Sequence, residues 1–393
     1  MNKVVIASAV RTAGGGFGGS FKNLTAVDLG AAVIKESLRR AGLAPEAVGQ
    51  VIFGNGWQAG VGPNPARLCT VRSGLPVSCP AFTVNIRCAS SLRAIELGAL
   101  SIAAGEEEIV IAGGTESSTN VPYIIPGLRW GQRMGDGAAY DVLHRDGFMC
   151  SLAGMLMGNT AELLVEKYGI SRKEQDEFSA ESHIKALRAM EEGSFDEEVL
   201  ALEVRDRKTT NWVKNEEIPR KDISLEKLGN LPPVFLGNGT ITAGNSCALC
   251  DAASALVLMS ERRAKELGVK PLAEIRSYSY VALDPKLMGL GPTLAIPAAL
   301  KKAGLELGDI DLIELNEAFA AQVIACDREL KMDMGKLNVN GGAIALGHPV
   351  GATGAKILTT LLYALKKRDK NLGLVSLCIG GGQGVALIVE RVN

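Results

Sequence analysis

Histidine is scarce in this chain: its 393 residues include only His144, His183 and His348. Few side chains are thus ready to act as a base near neutral pH, and each histidine has to be weighed individually. Charge of one sign is also missing, the formal net charge being -1. With no broad positive field, no zinc-finger spacing and no interleaved basic and aromatic run, nucleic acid is a poor partner. An unbroken apolar run of membrane-spanning length is lacking as well. The apolar uncharged stretch Asn371 to Val389 is interrupted by Gly380, Gly381, Gly382 and Gly384, which predicts two buried strands around a turn and no membrane span. No basic-then-apolar leader stands at Met1 to Val10, so the expected location is cytoplasmic. Eight cysteines scattered without a secretion signal then read as reduced thiols, each a packing residue, a ligand or a reactive group.

What the chain does contain is a repeated α/β pattern. Its length exceeds one compact core, which implies two lobes or a domain with a large insertion. Val4 to Val10 reads as a buried strand, Asp28 to Ala41 as an amphipathic helix ending near Gly42, and Val48 to Phe53 as a second strand. Ile109 to Ala112 is a short strand closed by Gly113 and Gly114, and parallel pairing is expected. The run Leu38-Arg39-Arg40-Ala41-Gly42-Leu43 followed by Val48 to Phe53 recurs without a gap as Leu300-Lys301-Lys302-Ala303-Gly304-Leu305 followed by Ile310 to Leu315. Val84-Asn85 is echoed by Val339-Asn340. Two copies of one α/β unit follow from this. Between them Pro122 to Asp146 is rich in glycine and arginine, and Glu191 to Lys227 is dense in charge with little strand signal. This reads as an inserted lobe, much of it a solvated helical surface.

Several groups carry possible chemistry. Gly14, Gly16 and Gly19 match a dinucleotide-loop spacing, but the helix starts only near Thr25, too late to face a pyrophosphate, so a turn is expected. Cys247 and Cys250 form a lone C-x-x-C without further zinc ligands and read as packing thiols. Cys88 lies between strand-like Val84 to Ile86 and an apolar helix over Ala89 to Ala103. A thiol at such a helix start is expected to have a lowered pKa and to be nucleophilic, with a buried packing thiol as the equal alternative. His183, in the charged helix Gln175 to Glu192, is expected at the surface, and His144 falls in the insert. His348 stands in a small-residue segment, Asn340 to Pro349, where backbone and ligand can approach closely; a structural histidine is the alternative. Asn316-Glu317 and Cys378 each end a predicted strand, over Ile310 to Leu315 and Leu372 to Leu377, where sites in α/β sheets are built.

Taken together, Asn85-Ile86-Arg87-Cys88-Ala89-Ser90-Ser91-Leu92, Asn316-Glu317-Ala318-Phe319-Ala320, Gly347-His348-Pro349 with Gly351 and Gly354, and Cys378-Ile379-Gly380-Gly381-Gly382 resemble the four sequence blocks of thiolases, in family order. The likeness extends over the chain through Arg11-Thr12, Thr242-Ala243-Gly244-Asn245 and Asp284-Pro285-Lys286. It implies an α/β fold of two repeated halves in α-β-α-β-α layers: 1-118 plus 246-270 as the N-terminal half, 271-393 as the C-terminal half, and 119-245 as an inserted loop lobe for coenzyme binding and oligomerisation.

The resemblance also implies roles. Cys88 would be the acyl-accepting nucleophile, His348 its base, and Cys378 the acid/base at the α-carbon. One oxyanion hole would use His348 and a water on Asn316, the other the backbone N–H groups of Cys88 and Gly380. Arg220, Met157, Phe235, Cys247, Phe319 and Met288 would line the way for coenzyme A. No metal or resident cofactor is implied, since coenzyme A thioesters are substrates. The expected activity is acetyl-CoA C-acetyltransferase, joining two acetyl-CoA reversibly into acetoacetyl-CoA plus CoA. Its alternatives are a broader-chain degradative 3-ketoacyl-CoA thiolase and a non-catalytic acyl-CoA or lipid-binding protein. The segment Arg129 to Asp136 resembles the loop that pairs dimers, so a homotetramer is expected, else a homodimer. Ser91, Leu156 and Cys247 depart from the usual glycine, histidine and serine, which bears on coenzyme affinity and acyl preference.

Overall fold

Every residue of Val4–Thr12 (β1) is buried, as a strand with neighbours at both edges and cover on both faces must be. The computed structural model describes residues 2–206 and 209–392. After β1 come α1 (Ala26–Ala41), β2 (Gln50–Gly54), α2 (Pro65–Arg72), β3 (Ala81–Val84), α3 (Ser90–Ala104) and β4 (Ile109–Ser117). The insert carries α4 (Met157–Tyr168) and α5 (Arg172–Glu191). There follow β5 (Cys250–Ser260), β6 (Ala273–Ala282), α6 (Gly291–Ala303), β7 (Leu312–Leu315), α7 (Ala320–Leu330), α8 (Thr353–Lys367), β8 (Leu372–Ile379) and β9 (Gln383–Arg391).

The repeated hexapeptide is a helix stop used twice. α1 ends at Gly42 with φ 66° and α6 at Gly304 with φ 68°, the left-handed cap that glycine adopts without a Cβ penalty. A 3-10 turn follows each, and then β2 or β7.

The main sheet runs β7-β8-β9-β6-β1-β5-β4-β2-β3. β2 is parallel to β3 and β4, and β7 is parallel to β8. A parallel bridge from Ile313 to Leu337 stands in the second half where β3 stands in the first. Along this path pairing is therefore parallel only toward the outer edges, with one short parallel pairing of Arg11 and Thr12 to Val199 and Leu200 beside it, which corrects the expectation of parallel strands. β9 follows β8 through Gly380 to Gly382, and so short a connection forces antiparallel pairing. β5 is antiparallel to both β1 and β4. The halves join where β1 meets β6 antiparallel over two pairs, Val5 with Glu274 and Ile6 with Ala273.

Alternation along β4 sorts the layers. Val110 and Ala112 pack with Leu92, Ile95 and Ile102 of α3 and Leu358 and Leu361 of α8. Ile109 and Ile111 face the other way, onto Leu29, Val33 and Ile34 of α1. Leu377, Val385 and Leu387 of the second half join the α3–α8 layer, whereas Leu374, Ala386 and Ile388 face Ile296 of α6 and Val323 of α7. The result is an α-β-α-β-α stack with α3 and α8 at its centre.

The charge-dense insert is not simply a solvated helical face. Leu202–Asp206 and Thr209–Val213 form a hairpin, and Glu198 and Glu216 are buried against Arg11. A guanidinium inside β1 needs carboxylate partners to be tolerated there, and the insert supplies them. Among the described residues no helix is long and apolar enough to cross a membrane.

α3 and α8 touch where Gly354 meets Leu92. A Cβ at Gly354 would lie 2.5 Å from the Leu92 Cβ and 2.7 Å from its backbone nitrogen. Gly354→Ala is expected to lower the unfolding free energy by about 1–3 kcal/mol through overpacking, read as a lower denaturant midpoint. A parent-like midpoint would show that the two helices can part freely.

Candidate active site

β3 ends at Val84, two residues sooner than the sequence suggests, and Arg87–Ala89 makes a tight turn before α3. Arg87 has φ 63°, a left-handed conformation costing a non-glycine residue about 1–3 kcal/mol. Its side chain offsets this cost. The guanidinium donates to the Asp146 carbonyl and to that of Gly147 at 2.5 Å, and it lies 5.8 Å from the Trp57 ring centroid. The turn thereby presents Cys88 to a narrow cavity of about 80 Å³.

The lowered pKa expected for Cys88 is not what the structure gives. Burial pushes the thiol above its ordinary 9.0, outweighing Arg87, the Gly380 N–H and the Cys88 N–H, which all act to lower it. The helix start is real, but loss of solvation is the larger effect. Cys88 at rest is thus a neutral thiol that needs a base.

His348 lines the same cavity. Its Nδ1 is 2.7 Å from Thr353 Oγ1, and that hydroxyl donates to the Pro349 carbonyl at 3.0 Å. With its one proton committed, Thr353 accepts from Nδ1–H, which leaves the lone pair on Nε2. Nε2 is buried without a protein partner among the described residues. Burial first, then Lys356 and Arg87, push the imidazole down to about 3, so it rests neutral and able to accept a proton.

Two buried carboxylates set the His348 loop. Glu317 accepts from Ser182, Asn338 and the Ile344 N–H. Glu116 accepts from the Gly56 and Gly351 N–H groups, each at 2.8 Å, and from Asn55, tying the two halves together. Sequence reasoning gave Glu116, Thr353 and Lys356 no part. An acid at the end of the apolar strand β4 was the one readable sign of Glu116.

Cys378, next to last in β8, lines the same cavity. Burial and then the neighbouring Cys88, Cys326 and Cys247 raise its thiol well above 9.0. Gly380 gives Met157 room: a Cβ there would meet Met157 Cε at 2.7 Å. Asn316 follows β7 and is buried, neither amide atom having a partner among the described residues. It does not itself line the cavity. A buried unpaired amide costs about 1–3 kcal/mol, which marks Asn316 as a group held for something other than packing.

Of the residues foreseen for coenzyme binding, Met157, Met288, Phe319 and Cys247 line the cavity. Phe235 stands edge-on to Phe319, centroids 6.0 Å apart. Arg220 lies elsewhere, in a second cavity of about 450 Å³ with His183, Ser246, Ala248 and Leu249. The extended segment from Ser246 to Leu249 divides the two, sending Cys247 one way and its neighbours the other. His183 is buried, correcting the surface placement: its Nδ1 accepts from the Arg220 N–H at 3.2 Å, and burial lowers it to about 4. The charge on α5 hid a face bearing Gln175, Ser179 and Ser182, which is buried. Leu156 lines neither cavity.

Cys250 is buried, whereas Cys247 is half-buried. The Gly14, Gly16 and Ser20 N–H groups donate to Glu216 and Glu217, so the protein's own carboxylates occupy the glycine loop. Among the described residues no His, Cys, Asp and Glu cluster suits a metal.

A neutral thiol, a neutral imidazole with a free nitrogen and a second thiol around backbone donors define a thiol-dependent acyl-transfer site. Family models place the chain more closely: the thiolase N-terminal domain matches residues 4–262 and the thiolase C-terminal domain residues 269–391. The chain belongs to the thiolase family. It is 50% identical, over the full length of both chains, to an acetyl-CoA acetyltransferase of Escherichia coli (strain K12). It is 47% identical, again over both full lengths, to a probable acetyl-CoA acyltransferase of Staphylococcus aureus (strain N315). The crystal structure of the Bacillus anthracis acetyl-CoA acetyltransferase superposes with a TM-score of 0.98 at 43% identity, covering 100% of this chain and 99% of that one.

Because its pKa is raised, Cys88 is expected to alkylate faster as pH increases toward and beyond 9.0. His348→Asn is expected to slow iodoacetamide labelling of Cys88 at neutral pH by on the order of 100-fold. Unchanged labelling, followed by mass spectrometry, would remove His348 as the base.

Proposed function

We propose that this chain is an acetyl-CoA C-acetyltransferase, joining two acetyl-CoA reversibly into acetoacetyl-CoA and CoA. The observation that carries the reading is the meeting of Cys88, His348 and Cys378 in one cavity, with the Gly380 N–H directed at the Cys88 sulfur.

In this reading His348 Nε2 takes the Cys88 proton as sulfur attacks the acetyl carbonyl. The thioester bond to CoA breaks, imidazolium returns the proton to the departing CoA thiolate, and acetyl-Cys88 remains. His348, neutral again, takes the Cys378 proton, and the Cys378 thiolate so formed takes a proton from the methyl carbon of a second acetyl-CoA. That carbon attacks acetyl-Cys88, the new carbon–carbon bond forms, and Cys88 leaves as a thiolate that the imidazolium reprotonates. In cleavage the order reverses, and a Cys378 thiol held protonated by burial is suited to protonate the carbon that departs.

Oxyanion stabilisation falls to the Cys88 and Gly380 N–H groups in one half-reaction. In the other it falls to His348 and a water on Asn316, whose unpaired amide supports that role. No resident cofactor or metal is needed, because thioester carbonyls are electrophilic and the donors are preformed. Met157, Cys247, Phe235 and Phe319 are assigned to the pantetheine arm, Arg220 to the phosphates, and Met288 to the acyl end. The small cavity beside Met288 favours acetyl over the longer chains of a degradative 3-ketoacyl-CoA thiolase.

Residues 1-118 with 246-270, and 271-393, are assigned as the two halves, and 119-245 as the lobe for coenzyme and assembly. Trp130 and Met134 are 86% and 93% exposed in the segment Arg129 to Asp136, which supports a homotetramer formed through that loop. We assign the protein to the cytoplasm, in fatty-acid metabolism, with no nucleic-acid or membrane partner.

Thiolysis of 3-ketoacyl-CoA substrates of increasing chain length tests the reading through loss of enolate absorbance. Acetoacetyl-CoA is expected to be the best substrate, and a preference for longer chains would favour the degradative enzyme. Cys88→Ala should abolish acyl-enzyme formation. Cys378→Ala should still acylate Cys88 yet make no carbon–carbon bond, and full condensation by that variant would refute the assigned roles.

A further inference from the structure

The His348 loop rests on a residue the acyl-transfer chemistry does not use. Lys356 lies one turn beyond Thr353 on α8 and is 3% exposed. Its ammonium donates to the carbonyl of Leu346 at 2.5 Å and to that of Gly347 at 3.3 Å, the two peptide units immediately before His348. Spacing of three residues puts Thr353 and Lys356 on one face of α8, so one helix turn holds the imidazole by its Nδ1 and its backbone by the preceding carbonyls.

Burying an ammonium is costly without compensation. Carbonyls alone do not neutralise it; Glu216 and Glu198 lie close enough to act on Lys356, with Arg11 and Cys250 beside them. Arg11 and Lys356 together hold Glu216 below the ordinary carboxylate range. Burial lowers Lys356 and raises Glu198, and the cluster offsets this by setting two basic groups beside two acidic ones. Cys250 fills the space against Gly347, where an added Cβ would meet its Cβ at 2.5 Å.

We propose that Lys356 is a positioning residue for His348: its buried ammonium, donating to the carbonyls of Leu346 and Gly347, fixes the backbone leading into the imidazole and sets a positive charge behind it. The inference deepens the acyl-transfer reading and rests on it for its chemical consequence. A cation behind His348 makes the resting base neutral and the transient imidazolium a stronger acid toward the leaving CoA thiolate. The other groups around His348 are Arg87, which also lowers it, and the thiols Cys88, Cys247 and Cys378 across the cavity. Glu116 and Glu317 reach its loop through the Gly351 and Ile344 N–H groups.

The three histidines make a direct test practical. With ring-labelled histidine and His348→Asn for assignment, the His348 signal of the parent is expected to stay flat from pH about 8 down to about 5. In Lys356→Met the midpoint should rise by about 1–2, so that the signal begins to move inside that window, while Lys356→Arg should behave as the parent. If the unbalanced carboxylate left around Arg11 keeps Lys356→Met from folding, Lys356→Met/Glu216→Gln removes both charges and should show the same rise. A flat His348 signal in the neutral variants overturns the proposal, even if thiolysis slows. The titration needs no substrate, so it stands whether or not acetyl transfer is found. In the active enzyme Lys356→Met should lower kcat about tenfold with KM for CoA unchanged.

Discussion

The site depends on the contact between the first turns of α3 and α8. Gly354 admits Leu92 at a distance no side chain would allow, and Ser91 Oγ accepts the Ala355 N–H at 3.0 Å. α8 has no cap of its own at Ala352, so a serine from the other half satisfies one of its free N–H groups. Cys88 stands just before one helix and His348 shortly before the other. Locking the two starts together is what brings a thiol from the first copy of the unit to an imidazole from the second. Ser91, where thiolases usually have glycine, is thus accommodated by a hydrogen bond of its own.

Loss of solvation governs the proton inventory. It raises Cys88 and Cys378, lowers His348, and lifts Glu116 to about 7. The resting site is consequently uncharged at its reactive atoms, and its chemistry starts from proton transfer between neutral groups. Nearby carboxylates serve the backbone: Glu116 and Glu317 each gather N–H donors from the loops that carry reactive residues. Such bonds matter because an N–H buried without an acceptor is expensive.

The insert joins this core through charge. Glu198 and Glu216 enclose Arg11, and the same carboxylates face Lys356 under the His348 loop. The lobe that carries Arg220 and the exposed Trp130 loop is thereby anchored to the strand at the middle of the sheet. His183 extends the connection by holding the Arg220 backbone.

Much of this was readable in the chain. The doubled helix stop at Gly42 and Gly304, the strand after each, and the four blocks with Cys88, Asn316, His348 and Cys378 are local patterns, set by backbone preference and by residue type. Contacts between distant segments were not readable. The Arg11 cluster spans more than two hundred residues between Arg11 and Glu216, and no spacing rule links them. His183 looked solvated because a charged helix conceals which face is covered. The helix start at Cys88 suggested a lowered pKa because position along the chain says nothing of how much water the fold removes. The sequence alone determined which thiols, imidazole and amide are the candidate reactive groups and that the unit occurs twice. Only the tertiary structure decided their protonation, since that depends on burial and on charges brought in from other elements.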